Sequence, residues 1–430
     1  MYLIKKISQH KQLLNNSIFA VLDNGVVAIF GLFYTIFMAQ VLTKEEYGIV
    51  ILFDVIRHIC TIFMVALVQA LVKYVAEKQD INSITSAAFL LLFMYLGICS
   101  TILILLSPKI SSILHVPELA PLLQWLPLLL FLSVFYFIGQ GVYWGLQKMH
   151  VVFLVDALFS FVFIISSLYM SKIGKLSTAQ DVYWLFIIAR FVSAIAAFIF
   201  TLFKVRFEKP KFINVHQLWR YIQPVFINSL GVLGYSRLDR LILGIFLSPI
   251  AVASYNAAAI VFNAFMLINQ TMSMLLLPRA SRESRNTSVE NRNFTLRRFY
   301  VLSSVSFTIL SLPFVLLLIL APEIIAEILY RGKYPEITSL LVIFALWGLT
   351  LPFSRAAASI LNGVGKPQIN AYITWFVLII SILLNALLIP IAGIFGAAIS
   401  TLFVSLMSLG GYLLVMRKVF GLRISDFKLW

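Results

Sequence analysis

The chain is 430 residues long, with 61% apolar and 12% charged residues and a mean hydropathy of +0.98. Soluble domains carry about 25% charged residues, so this composition excludes a soluble fold. The net charge of +16 is then read against anionic headgroups and membrane topology; a nucleic-acid partner is not expected.

A basic start (Lys5, Lys6, Lys11) leads into an apolar run at 17–42, too long for a signal peptide and followed by no clean small-residue cleavage pattern, hence a retained helix. Further runs follow at 48–72, 84–106, 120–144, 151–171, 182–203, 221–247, 251–277, 299–321, 338–362, 369–390 and 395–416. Each can cross a hydrocarbon core of roughly 30 Å at 1.5 Å per residue. The ten-residue alternation of a membrane barrel is absent, so the backbone polar groups must be satisfied within helices. The fold class is therefore an all-α integral membrane protein of about twelve transmembrane helices. Turn residues punctuate the breaks, as at Ser107-Pro108-Lys109, Ser248-Pro249 and Gly365-Lys366-Pro367. The longest loops, 204–220 and 279–298, are basic and too short for a catalytic domain, which argues against a membrane polymerase or glycosyltransferase and for a protein that is not an enzyme.

With the N-terminus inside, cytoplasmic segments hold 22 lysines and arginines and external loops hold 6. This asymmetry places both termini in the cytoplasm. Cys60 and Cys99 lie inside apolar runs and read as packing residues that build no disulfide framework. The five histidines form no HExxH or close pair, so no metal or cofactor is expected.

Six spans precede the basic segment 204–220 and six follow it. The domains expected are a six-helix bundle at 1–203, a cytoplasmic linker at 204–220 and a second bundle at 221–430. Two echoes support a repeat. Residues 39–48 resemble 243–256, and Gly145-Leu146-Gln147-Lys148 resembles Gly363-Val364-Gly365-Lys366. Their offsets, 208 and 218, require an insertion of about ten residues between them. An even number of spans per half implies a pseudo-two-fold axis along the membrane normal.

The stretch Tyr235-Ser236-Arg237-Leu238-Asp239-Arg240-Leu241-Ile242-Leu243-Gly244 followed by Tyr255-Asn256-Ala257-Ala258 resembles the start of the C-terminal half of Wzx-type polysaccharide flippases. Val41-Leu42-Thr43-Lys44-Glu45-Glu46-Tyr47-Gly48, Leu361 to Lys366, and Ile389-Pro390 with Gly393 and Gly396-Ala397-Ala398 extend that resemblance over nearly the whole chain. Together they are similar to the multidrug/oligosaccharidyl-lipid/polysaccharide exporter (MOP) superfamily. The resemblance implies a MATE-like pair of six-helix bundles in a bacterial inner membrane. These would carry an undecaprenyl-pyrophosphate-linked oligosaccharide (an O-antigen, lipopolysaccharide or capsule repeat unit) across it by alternating access. The partners so implied are the lipid-linked glycan, the bilayer, a polysaccharide polymerase and a chain-length regulator. The family has no strict signature from which residue roles carry over.

Nine ionisable residues lie within the spans: Asp23, Asp54, Asp156, Asp239, Arg57, Arg190, Arg237, Arg240 and Arg355. Each costs at least about 2.5–3.5 kcal/mol at a helix centre, so each should face a cavity or a partner. Asp54 and Arg57, three residues apart, share a face and can pair. Arg237 and Arg240 share a face of the seventh span, with Asp239 directed elsewhere. Guanidinium groups bind phosphate oxygens bidentately. For a lipid pyrophosphate, Arg57, Arg237, Arg240 and Arg355 are thus the candidate substrate-binding cations; the alternative is that they close ion pairs with Asp54, Asp23 or Asp239. Asp23, Asp54 and Asp239 are candidates for cation coupling or ion pairing. Asp156 and Arg190, near helix ends, are expected to snorkel to the interface.

Asn256, Asn263 and Gln270 recur every seven residues as a polar stripe, able to meet sugar hydroxyls or a neighbouring helix. Tyr143, Trp144 and Trp219 read as interface anchors. Pro224 opens the seventh helix, and with Gly231 and Gly234 beyond it the helix can bend. Three other functions stay open: a multidrug/cation antiporter of the same superfamily, a flippase for the peptidoglycan lipid precursor, and a non-transporting scaffold of a glycan-assembly complex. The excess of arginine over aspartate in the spans favours an anionic cargo.

Overall fold

The structure is a computed structural model that describes the backbone of residues 2–77, 80–283, 289–423 and 426–427; the side chains of residues 2–15, 263–275, 278, 289 and 290 lie outside that description. The helices are α1 (Tyr2–Val41), α2 (Lys44–Ala76), α3 (Ile81–Ile113), α4 (Leu119–Gly145), α5 (Met149–Lys172), α6 (Ala179–Leu202), α7 (Phe212–Phe246), α8 (Pro249–Glu283), α9 (Val289–Leu320), α10 (Pro322–Tyr330), α11 (Ile337–Gly363) and α12 (Pro367–Phe420). Among the described residues there is no strand.

Among the described residues, nine helices are long and apolar enough to cross a membrane. α7 and α8, at 35 residues each, also exceed the length needed. α12 breaks at Gly393, whose φ of 59° and ψ of −136° no helix contains, so its arms 367–392 and 394–420 are each one span long. With α10 too short to cross, this gives the twelve passes expected. Leu105, Leu320 and Ile391 are 71–78% exposed, as suits side chains solvated by lipid. Serines and asparagines such as Ser83, Ser193 and Asn385 are buried between helices.

Several helices outrun their apolar cores. The expected span 84–106 lies within the helix at 81–113, and all but the last residue of 299–321 lies within the helix at 289–320; most of the expected loop 279–298 is helical, at the end of α8 and the start of α9. Hydropathy marks the hydrocarbon slab, whereas the helix continues into the headgroup layer where charged side chains are solvated.

The chain divides into two compact units, residues 1–230 and 231–430, so the division falls inside α7. In the first unit α2 packs on α3 and α4, α4 also contacts α6, and α5 bridges α1 and α6. The first half of α7 is fastened there. Tyr74 donates to the Gln217 carbonyl at 3.4 Å, Asn214 donates to Ser83 Oγ at 2.6 Å, and Trp219 and Phe226 meet the Phe63 ring. Pro224 thus lies in the interior of α7 instead of opening it. In the second unit α11 is central, packed against α8, α9 and α12.

The two echoes in the sequence have a common geometry. After α4, the amides of Leu146, Gln147 and Lys148 bond the carbonyls of Val142, Trp144 and Tyr143 at 2.9–3.0 Å. After α11, the amides of Val364, Gly365 and Lys366 bond those of Ile360, Asn362 and Leu361 at 2.9–3.1 Å. Both are left-handed helix stops, with φ of 55° at Gln147 and 79° at Gly365. Gly145 and Gly363 let equivalent helices close: a Cβ there would come within 2.6 Å of Val75 Cβ on α2 or 2.7 Å of Ala280 Cβ on α8. The change in offset between the echoes is taken up by the nine-residue α10, which interrupts the α9–α11 connection and has no counterpart between α3 and α4.

Candidate functional site

The second unit holds a buried polar network where α7 meets α8. Arg240 Nε donates to Asn256 Oδ1 at 2.8 Å, and its Nη1 donates to the Ser236 carbonyl at 2.8 Å and to Asp239 Oδ1 at 3.1 Å. The Tyr255 hydroxyl donates to Asp239 Oδ2 at 2.7 Å and lies 3.3 Å from Thr401 Oγ1. The expectation that Arg240 and Asp239 point apart is thereby corrected. Their Cα–Cβ bonds diverge, but the long arginine side chain curls back to the adjacent carboxylate, the nearest charge that can stabilise it. Asn256, from the expected polar stripe, serves α7 by an interhelical bond; the side chains of Asn263 and Gln270 lie outside the described residues. Arg237 is half-buried on α7.

Arg355 sits differently. It borders a cavity of about 170 Å³ enclosed by α7, α11 and both arms of α12, beside Tyr235, Trp347, Ser354, Ser408 and Tyr412. Arg355 makes no ion pair or hydrogen bond among the described residues. The indole Nε1 of Trp347 is buried without a hydrogen-bond partner among them.

In the first unit Arg57 pairs with Asp54 as its spacing predicts, with Nε 3.0 Å from Oδ1 and a second, closer contact through Nη2. His58 Nδ1 lies 3.3 Å from the same carboxylate, and Arg57 stacks over the Phe186 ring at 5.3 Å. A second cluster joins four helices. Asp23 on α1 and Asp156 on α5 lie close enough to interact, as do Asp156 and Tyr136 on α4. The Arg190 guanidinium from α6 is held between the Tyr136 and Phe159 rings at 4.2 and 4.3 Å.

Asp156 and Arg190 therefore do not snorkel. Asp156 is 7% exposed, and Arg190 Nη1 and Asp23 Oδ1 are buried atoms with no hydrogen-bond partner among the described residues. Distance from a helix end suggests snorkelling, but Tyr136 and Phe159 supply a cation-binding slot inside the bundle. Sequence reasoning missed Tyr136, a neutral residue whose role depends on three other helices. It also misplaced Tyr143, which is buried and donates to the Phe200 carbonyl at 2.5 Å, clamping α4 to α6. Cys60, buried on α2, and Cys99 on α3 are both free thiols.

Comparisons with solved structures return the same helical fold. The lipid II flippase MurJ in an inward closed conformation superposes with a TM-score of 0.75 at 14% identity, covering 96% of this chain and 89% of that one. A multidrug resistance MATE family transporter of the MOP superfamily, inward-facing, gives 0.72 at 12% identity, covering 95% and 99%. Residues 37–339 match the model of the polysaccharide biosynthesis protein family. The chain belongs to that family and is a multi-pass membrane protein.

Among its relatives, membrane protein MJ1375 of Methanocaldococcus jannaschii is 25% identical over 400 residues, 87% of this chain and 90% of that protein. MJ1068 of the same organism is 29% identical over 201 residues, 46% of this chain. The probable low-salt glycan biosynthesis flippase Agl15 of Haloferax volcanii is 26% identical over 195 residues, 45% of this chain. The matched region spans only 38% of MJ1068 and 40% of Agl15.

Proposed function

We propose that this protein flips a polyprenyl-pyrophosphate-linked oligosaccharide, a repeat unit of a surface polysaccharide such as O-antigen or capsule, from the cytoplasmic to the external face of the cytoplasmic membrane. The observation that carries the reading is the family match over residues 37–339. The surplus of arginine within the spans supports an anionic cargo. The loop charges favour both termini in the cytoplasm. Arg57 and Arg240 have acidic neighbours, whereas Arg355 makes no ion pair or hydrogen bond among the described residues, so Arg355 is the stronger cation for substrate. In the first unit, the paired carboxyls of Asp23 and Asp156 supply a place for the proton or cation that drives the cycle.

Deletion of the gene in its host, with lipid-linked glycan measured on each membrane face, tests this function. The expected outcome is precursor accumulating on the inner face with loss of the surface polymer, both reversed by the wild-type gene. Intact surface glycan together with altered sensitivity to cationic drugs would assign the chain to the antiporters instead.

A further inference from the structure

Charge within the spans divides unevenly. The first unit sets Asp23, Asp54 and Asp156 against Arg57 and Arg190, one negative charge in excess, while the second sets Arg237, Arg240 and Arg355 against Asp239 alone, two positive charges in excess. Asp239 already accepts from Arg240 and Tyr255. No other Asp or Glu occurs in the spans of this unit, and Glu336, at the start of α11, is nineteen residues or about 28 Å along the helix from Arg355. An uncompensated guanidinium within a membrane helix is costly and usually marks a pathway or a bound counter-ion.

The cavity beside Arg355 has the chemistry to receive that counter-ion. Arg355 offers five N–H donors in a planar fork, Trp347 Nε1 is a buried donor without a partner among the described residues, and Tyr235, Tyr412 and Ser408 also line the cavity. The hydroxyl of Ser354 is committed to the Thr350 carbonyl at 3.3 Å, and that of Ser405 to the Thr350 hydroxyl. No carboxylate lines the space. A volume of about 170 Å³ exceeds the minimum for one water by on the order of tenfold, room for a phosphoryl group.

We infer that this cavity is a phosphoryl-binding subsite built wholly within the second unit, in which Arg355 takes two oxygens of a phosphate or pyrophosphate group and Trp347 Nε1 with a tyrosine hydroxyl takes others. Only the source of that group, the headgroup of a lipid-linked glycan, rests on the function proposed above; free inorganic phosphate offers the same chemistry.

The test uses the full chain in nanodiscs of zwitterionic lipid, titrated with inorganic pyrophosphate and, separately, with undecaprenyl phosphate incorporated in the disc. Pyrophosphate is expected to raise the melting temperature of the wild type and to bind Arg355→Gln at least tenfold more weakly, with Arg355→Lys intermediate and Trp347→Phe weakened severalfold. If undecaprenyl phosphate competes with pyrophosphate, the lipid is the source; if only the inorganic ion binds, a free anion fills the same subsite. Equal affinity in the wild type and Arg355→Gln, or no binding of either probe to the wild type, overturns the subsite. Should Arg355→Gln fail to fold, Trp347→Phe and Tyr412→Phe, each removing one donor, carry the comparison. Pyrophosphate binding by a chain whose deletion leaves surface glycan intact would remove the flippase reading and keep the subsite. Flipping with no Arg355-dependent binding would do the opposite.

Discussion

Substituting Arg240 strands a carboxylate inside the second unit, whereas substituting Arg355 removes a side chain with no ion pair or hydrogen bond among the described residues. Arg240→Gln is therefore expected to lower stability by roughly 3–5 kcal/mol, since removing one member of a buried ion pair leaves the other uncompensated. Arg355→Gln without phosphate should be neutral or stabilising, because it relieves an unpaired charge. Melting temperatures of the two variants in the same lipid check the contrast, and a comparable loss in both would mean Arg355 has a structural partner. At this scale the sequence is legible where partners are local. The Asp54–Arg57 pair follows from i, i+3 spacing. The Asp23–Asp156–Tyr136–Arg190 cluster does not, since its members come from four helices and their meeting is decided by packing.

Helix stops give a second test. Gln147 holds a left-handed backbone conformation that its repeat counterpart Gly365 adopts without steric penalty. Gln147→Gly should gain about 0.5–1 kcal/mol and Gly365→Ala lose about 1 kcal/mol, read as opposite shifts in thermal unfolding. Gly393→Ala should cost more than either, because φ of 59° with ψ of −136° is hostile to any Cβ. Close behind it, a Cβ at Gly396 would meet the Leu388 carbonyl oxygen at 2.1 Å. The motif Ile389-Pro390 with Gly393 and Gly396 is thus the physical device that turns one arm of α12 back on the other. The apolar runs were readable because hydrocarbon thickness imposes a length on them. Helix ends were not, because the headgroup layer admits both helix and loop, and α10 escaped because nine residues cannot span a membrane.

For the whole molecule, the repeat was visible in two short echoes, and its register became clear once α10 accounted for the shift in offset. The unequal division of charge between the units was also written in the sequence, although that Arg355 makes no ion pair or hydrogen bond among the described residues was not. That inequality has an electrical consequence. Moving a unit charge through the whole field of a membrane changes its energy by about 2.3 kcal/mol per 100 mV. If the protein flips its cargo as proposed, the formal excess of positive charge in the spans of the second unit would make the empty form sensitive to voltage, and a bound anion would offset it. In a cell held negative inside, the potential would then act mainly on the return of the empty protein, drawing its cationic core toward the cytoplasm, and little on the loaded step. Electrical recordings from vesicles should find charge movement without cargo that shrinks when pyrophosphate is added and falls in Arg355→Gln; equal charge movement in all three conditions would contradict it.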